Sequence, residues 1–126
     1  MGLSDTLPVV IDLEQALGSI AAPWTPVVAA ELNGQQVKLA RLEGEFVWHQ
    51  HDEADELFLV LDGELMLRFE HGERRLRAGQ MLVVPRGLRH CPVAEAGAKV
   101  LLFEAAGVIN TGDANDPRRV EEPRRL

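Results

Sequence analysis

The stretch Gly44-Glu45-Phe46-Val47-Trp48-His49-Gln50-His51-Asp52-Glu53-Ala54-Asp55-Glu56 runs directly into Leu57-Phe58-Leu59-Val60-Leu61 and ends on Asp62-Gly63. Imidazole is the commonest metal ligand and a general acid or base near neutral pH. His49 and His51 stand two positions apart, and on a strand that spacing turns both rings to one face, as a single metal ion requires of neighbouring ligands. A carboxylate run is usually a solvated loop, and Asp52, Glu53 and Asp55 fit that description. Glu56 differs because it abuts the apolar run, whose regular backbone can hold its side chain in place. An uninterrupted apolar run implies cover on both faces, the barrel interior on one and a neighbouring segment or second subunit on the other. Val47, Phe58 and Val60 share the inward parity and would give a cavity apolar walls, favouring a small organic ligand.

Downstream, five residues separate Gly79 from Pro85-Arg86-Gly87, and two more separate Gly87 from His90. Proline and glycine at those positions make a turn that feeds a strand with His90 near its start. His71, in Glu70-His71-Gly72-Glu73, falls at a hairpin tip and reads as a solvated turn residue. Further outward, β-branched and apolar runs alternate with the turn signals Asn33-Gly34, Asp62-Gly63, His71-Gly72 and Ala78-Gly79. This spacing predicts strands over 27–32, 36–42, 46–51, 56–61, 64–69, 73–77, 81–84, 90–94 and 99–105, an all-β barrel or sandwich. Ahead of them, Asp12 precedes Leu13, Ala16, Leu17 and Ile20 at helical spacing, so one short helix is expected, stopped by Gly18 or Pro23.

The two blocks, in this order and with fifteen residues between Gly63 and Gly79, resemble the two sequence motifs of the cupin superfamily. The resemblance covers about residues 27–105 and implies a double-stranded β-helix, the small jelly-roll barrel. Carried over residue by residue, it implies metal ligands at His49, His51, Glu56 and His90. Three imidazoles and one carboxylate leave positions open on a divalent transition metal, and such a set accepts Fe, Mn, Ni, Zn, Co or Cu. The asparagine that often ends the second motif is here Ala94, so no chemistry that uses that amide applies. The wording around His49 and the run Ile109-Asn110-Thr111-Gly112-Asp113 resemble short bacterial single-domain cupins labelled mannose-6-phosphate isomerase-like. A homodimer is the family expectation.

Within 126 residues the expectation is one domain over 1–112 with its barrel core at about 27–105, followed by a charged tail, 113–126, carried in solvent. The formal charge of −7 argues against nucleic acid or anionic membrane partners, which need a basic surface. No apolar stretch approaches the roughly 20 residues of a membrane span. The single cysteine, Cys91, cannot pair within the chain and, next to His90, points away from the metal side as an inert buried thiol; a reducing cytoplasm is the default. Trp48 likewise faces outward, against the N-terminal segment or a dimer partner. The chain has no tyrosine, which excludes cupin chemistry that relies on one. The named inward positions offer no cation, which disfavours sugar phosphates unless Lys38 or Arg68 turns inward. The function expected is binding of a small organic molecule at the metal, as a dioxygenase or isomerase or as a non-catalytic binding or sensing module.

Overall fold

The computed structural model describes residues 7–126. Helix α1 (Leu13–Gly18) is followed by β1 (Val27–Leu32), β2 (Gln35–Glu45), β3 (Glu56–Phe69), β4 (Gly72–Arg77), β5 (Met81–Val84) and β6 (His90–Ala105). All pairings are antiparallel, in the order β1-β2-β6-β3-β4 with β5 beside β3. The result is a double-stranded β-helix. Its interior is an apolar cluster that includes Leu42, Phe46, Phe58, Val60, Leu65, Leu67, Val100 and Leu102, all at most 8% exposed. Burying each such side chain contributes about 1.5–3 kcal/mol before conformational entropy is subtracted.

Two pairs of predicted strands are single long ones. Segments 56–61 and 64–69 form β3, and 90–94 and 99–105 form β6. The Asp62-Gly63 signal is a bulge, where the register with β6 shifts between Val60 and Asp62 and again between Gly63 and Met66. Gly63 has φ +82°, and a Cβ there would stand 2.3 Å from the Gly97 carbonyl oxygen, so the two strands bend together where no side chain fits. Each long strand thereby serves both halves of the barrel.

The predicted strand 46–51 does not form. Strand β2 instead runs three residues further than predicted, to Glu45, and continues beside β6 as irregular chain. Phe46 N–H donates to Pro92 O at 2.9 Å, and His49 and His90 exchange backbone bonds at 2.9 and 2.8 Å. The ladder breaks between them because Pro92 has no N–H to return to Phe46, and the register slips by one residue between the Glu45–Val93 and His49–His90 pairs; the freed Val47 carbonyl is met by the His49 ring, 2.9 Å from Nδ1.

Helix α1 forms as expected, with the Asp12 side chain accepting from Gln15 N–H at 2.9 Å. Its Ala16 and Leu17, with Ile20, pack on Val27 and Leu39, and Leu61 joins the edge of that cluster. The helix therefore covers part of the outer face of the apolar run.

The charged segment 113–126 does not trail into solvent. Arg124 O accepts from Val28 N–H at 2.8 Å, Leu126 N–H donates to Val28 O at 3.0 Å, and Arg118 reaches the Glu45 carbonyl at 3.1 Å while its guanidinium lies 4.7 Å over the Phe46 ring. Charge and proline content understate such ties because backbone groups and cation–π contacts leave no apolar signal.

Candidate metal centre

The start of β3 supplies Glu56, the start of β6 supplies His90, and the irregular chain between β2 and β3 supplies His49 and His51. The structure brings these four together, one ligand atom from each lying within 4.8 Å of all the others. Each is buried, His90 fully and His51 least at 8% exposed. His51 Nε2 and His90 Nε2 stand 3.6 and 3.7 Å from Glu56 Oε1, too far for good hydrogen bonds. All three of these atoms lack a hydrogen-bond partner among the described residues. Buried polar atoms are rarely left unpaired, so orphans converging on one point fit a metal ion.

The ring tautomers agree. His49 Nδ1 and His90 Nδ1 lie 2.9 Å from the carbonyls of Val47 and Leu88. A carbonyl only accepts, so Nδ1 carries a proton, which leaves Nε2 as the nitrogen that could offer its lone pair to a metal. Burial, then the charge of neighbouring His90, pushes the His49 imidazole down to about 4, which keeps it in the neutral form that ligates. Burial acts to raise the Glu56 carboxyl, but the imidazoles of His51 and His90 outweigh it and hold Glu56 below the usual carboxylate range.

The neighbouring carboxylates behave as the sequence predicts. Asp52, Glu53 and Asp55 are exposed, and Asp55 is engaged by Arg86, whose backbone N–H donates to it at 2.9 Å. His71 is an exposed turn residue. Cys91 is fully buried with Met66, Val93 and Trp48, and burial raises its thiol further from ionisation. Trp48 thus packs on that cluster, on the far side of β6 from His90.

One functional candidate, Glu104, escaped the sequence reading, and Lys38, named there as a cation that could turn inward, does so. Lys38 and Glu104 are each 2% exposed. Lys38 Nζ lies 3.8 Å from Glu104 Oε1 and donates to Val108 O at 3.1 Å, while Glu104 Oε2 has no partner among the described residues. Glu104 sits directly across from Glu56 in the β3–β6 register. Burial first, and the adjacent Glu56 second, pushes its carboxyl up to about 9, with Lys38 pulling the other way. The signal was present as parity, since Glu104 follows Val100 and Leu102 on the inward face of β6. Arg68 turns outward and pairs with Glu45 at 2.9 Å.

His49, Glu56, Lys38 and Glu104 share a cavity of about 40 Å³ walled by Trp24, Ala40, Leu42, Phe46, Phe58 and Leu102. Phe58 is inward as expected, and Trp24 stacks on Phe46 at 4.5 Å to close one side. His51 also lines an open cleft with Gln50, Asp52, Glu53 and Asp113, so the cluster stands between the cavity and that cleft.

A family model described as "Cupin domain" matches residues 35–104. The chain is similar to the uncharacterized protein YdbB of Bacillus subtilis, at 44% identity over 62 residues that cover 48% of this chain and 55% of that one. It is similar to the auxin-binding protein ABP19a of Prunus persica, at 33% identity over 96 residues, 67% of this chain and 46% of that one. The chain spans about half the length of these two curated relatives. Among solved structures, a cupin-2 domain containing protein from Shewanella frigidimarina superposes with a TM-score of 0.75 at 40% identity, over 76% of this chain and 94% of that one. Protein NMB1881 of Neisseria meningitidis gives 0.72 at 31% identity, over 78% and 100%.

Proposed function

The chain belongs to the cupin domain family, and from that premise we propose that it binds one divalent transition metal through His49, His51, Glu56 and His90 and takes a small organic molecule onto the metal. The observation that carries this is the convergence of four buried ligand atoms, three of which have no other partner among the described residues. When bound, the metal supplies a Lewis acid with open coordination positions. The chain's own part is to present neutral imidazoles, through the carbonyls that hold Nδ1–H of His49 and His90, and to back the site with apolar walls on its cavity side.

Elemental analysis of the tag-free protein, beside His51→Ala and Glu56→Gln variants, tests the ligand set. The expected result is near-stoichiometric metal in the native protein and its loss in His51→Ala. Equal metal content in all three would overturn it.

Turnover, of isomerase or dioxygenase type, is favoured over passive binding by the buried Glu104 beside the ligands, whose carboxyl is pushed up to about 9, because buried groups with strongly shifted proton affinity cluster at working sites. Oxygen uptake by iron-loaded protein with catechols, diketones and flavonols separates the dioxygenase form from the others. The likeness to mannose-6-phosphate isomerase-like cupins adds no substrate. Lys38 does turn inward, yet its ammonium already faces Glu104 and Val108 O, and the Glu56 carboxylate in the same cavity opposes a phosphate.

The same reading includes a cytoplasmic homodimer. Its contact is supported by the outer strip where Leu57 pairs with Val83 and Leu59 with Met81, Met81 being 64% and Val83 52% exposed. Among the described residues no helix is long and apolar enough to cross a membrane.

A further inference from the structure

The run Leu7-Pro8-Val9-Val10-Ile11 leads into α1 without regular structure. Leu7 is 83%, Val9 79% and Val10 94% exposed, among the most exposed apolar side chains described. None of its backbone groups is hydrogen-bonded among the described residues. As an extended strand the run would set Leu7, Val9 and Ile11 on one face and Pro8 and Val10 on the other. An arm that is apolar on both faces offers neither to water, which is the pattern of a strand covered on both sides. The same chain carries a sheet edge of matching character. Strand β5 pairs with β3 alone among the described residues, so its other edge keeps open donors and acceptors. Met81 and Val83 stand exposed on the outer face of β5, with Leu82 and Val84 turned inward. A groove of about 390 Å³ lies between β4 and β5, lined by Leu76, Met81 and Leu82 and by Arg74 and Arg75.

Resting on the homodimer reading above, we propose that residues 7–11 of each copy add as a strand along β5 of the other copy, in the groove between β4 and β5. The open backbone groups of arm and edge then pair, one face of the arm extends the outer strip of Met81 and Val83, and the opposite face meets Leu76 and Leu82. Length agrees, since the extended arm spans about 17 Å and β5, with four residues, about 13 Å. Charge agrees as well. Asp5 and Asp12 flank the arm and no Lys or Arg precedes Lys38, so an acid-flanked segment meets a groove that carries two arginines. Pro8, which has no N–H, is tolerated in an outermost strand. Exchange rather than fold-back follows from where the arm begins. Helix α1 sits over β2, and β6 and β3 separate β2 from β5. Those three strand spacings amount to about 14 Å, so an arm that crossed its own sheet would have no length left to lie along β5. One arm and one groove on every copy make two identical contacts about a two-fold axis, which closes the assembly at a dimer.

Sedimentation equilibrium of the full-length protein is compared with that of an arm variant, Val9→Lys/Val10→Lys, and a groove variant, Met81→Glu/Val83→Glu. All four side chains are more than half exposed, so both variants are expected to keep the native circular dichroism spectrum. Native protein is expected to be a dimer, and each variant alone to have its dimer Kd raised about 100-fold, as when buried apolar anchors are lost. An equal mixture of the two variants is expected to recover most of the native affinity as a heterodimer, because one cationic arm then meets one anionic groove and the other arm and groove are native. Arms folded back on their own chains would gain nothing from mixing. A native dimer whose Kd the arm variant leaves unchanged, or variants that recover nothing when mixed, overturns the exchange and leaves the homodimer standing. Native protein that remains monomeric overturns the homodimer reading, and the exchange with it.

Discussion

Alanine in place of Gly112 tests whether the chain beyond β6 holds the metal centre in shape. Gly112 has φ +54°, and a Cβ there would lie 2.3 Å from Gln50 O and 3.1 Å from Cδ2 of the His49 ring. Ordinary carbon contacts begin near 3.5 Å, so the 49–50 backbone must retreat by about 1 Å. That carbonyl also accepts from Asp113 N–H at 3.2 Å, and Gln50 N–H donates to the Asp113 carboxylate at 2.9 Å, so the retreat strains both bonds. The left-handed backbone costs a non-glycine residue about 1–2 kcal/mol, and overpacking adds about 1–3 kcal/mol. The sum is a loss of about 2–5 kcal/mol in urea unfolding. Because His49 moves with the segment, metal affinity measured by chelator competition is expected to fall about 10–100-fold, as when the support of a ligand is removed. Gly107→Ala is the control. Its φ is +89° with no atom within 4 Å of the added Cβ, so it bears only the backbone cost and should keep native metal affinity. Equal unfolding midpoints for the two variants, with undiminished metal affinity in Gly112→Ala, would refute the reasoning.

Removing one partner of the buried pair should be far worse than removing both. Above about pH 9, where Glu104 is ionised, Lys38→Met leaves its carboxylate without a cation and is expected to cost about 3–5 kcal/mol in urea unfolding, most of it recovered in Lys38→Met/Glu104→Leu; a double variant no more stable than the single at that pH would contradict this. The pH dependence of the metal-free protein has a definite sign. Glu104 is raised to about 9, so between its ordinary value and 9 the native state holds a proton that the unfolded state releases, and stability falls as pH rises through that window. His49 is lowered to about 4, so between 6.5 and 4 the unfolded state binds the extra proton and stability falls as pH drops. The two slopes oppose one another below about pH 6.5 and leave Glu104 alone above it. Urea unfolding should therefore weaken from about pH 7 to 9 in the native chain, and Glu104→Gln should flatten that limb and expose the acid loss of His49. An alkaline slope that persists in Glu104→Gln would remove this account.

Much of this molecule was legible in one dimension. Alternation placed β1 and β5 at their observed bounds, and Asp12 with its apolar spacing placed the helix. The four candidate ligands were legible because their spacing along the chain matches the cupin motifs, and the fold brings the same four together. Even so, the route differs for His49 and His51. They converge from irregular chain rather than from a strand, because Pro92 on β6 has no N–H to continue the ladder beyond Phe46.

What only the tertiary structure decided is what stands opposite what. Inward parity says that Glu104 and Lys38 face the interior, but not that Glu104 meets Glu56 on one side and Lys38 on the other. Those meetings follow from the register of β6 between β2 and β3, which depends on hydrogen-bond ladders between residues far apart in the chain and on the bulges that shift them. A slip of one residue would turn Glu104 to the outer face. The cost of a buried carboxyl is likewise a property of its surroundings rather than of its position in the chain. The local pattern thus determined the strands and the histidines, and the packing of distant strands determined the cavity beside them.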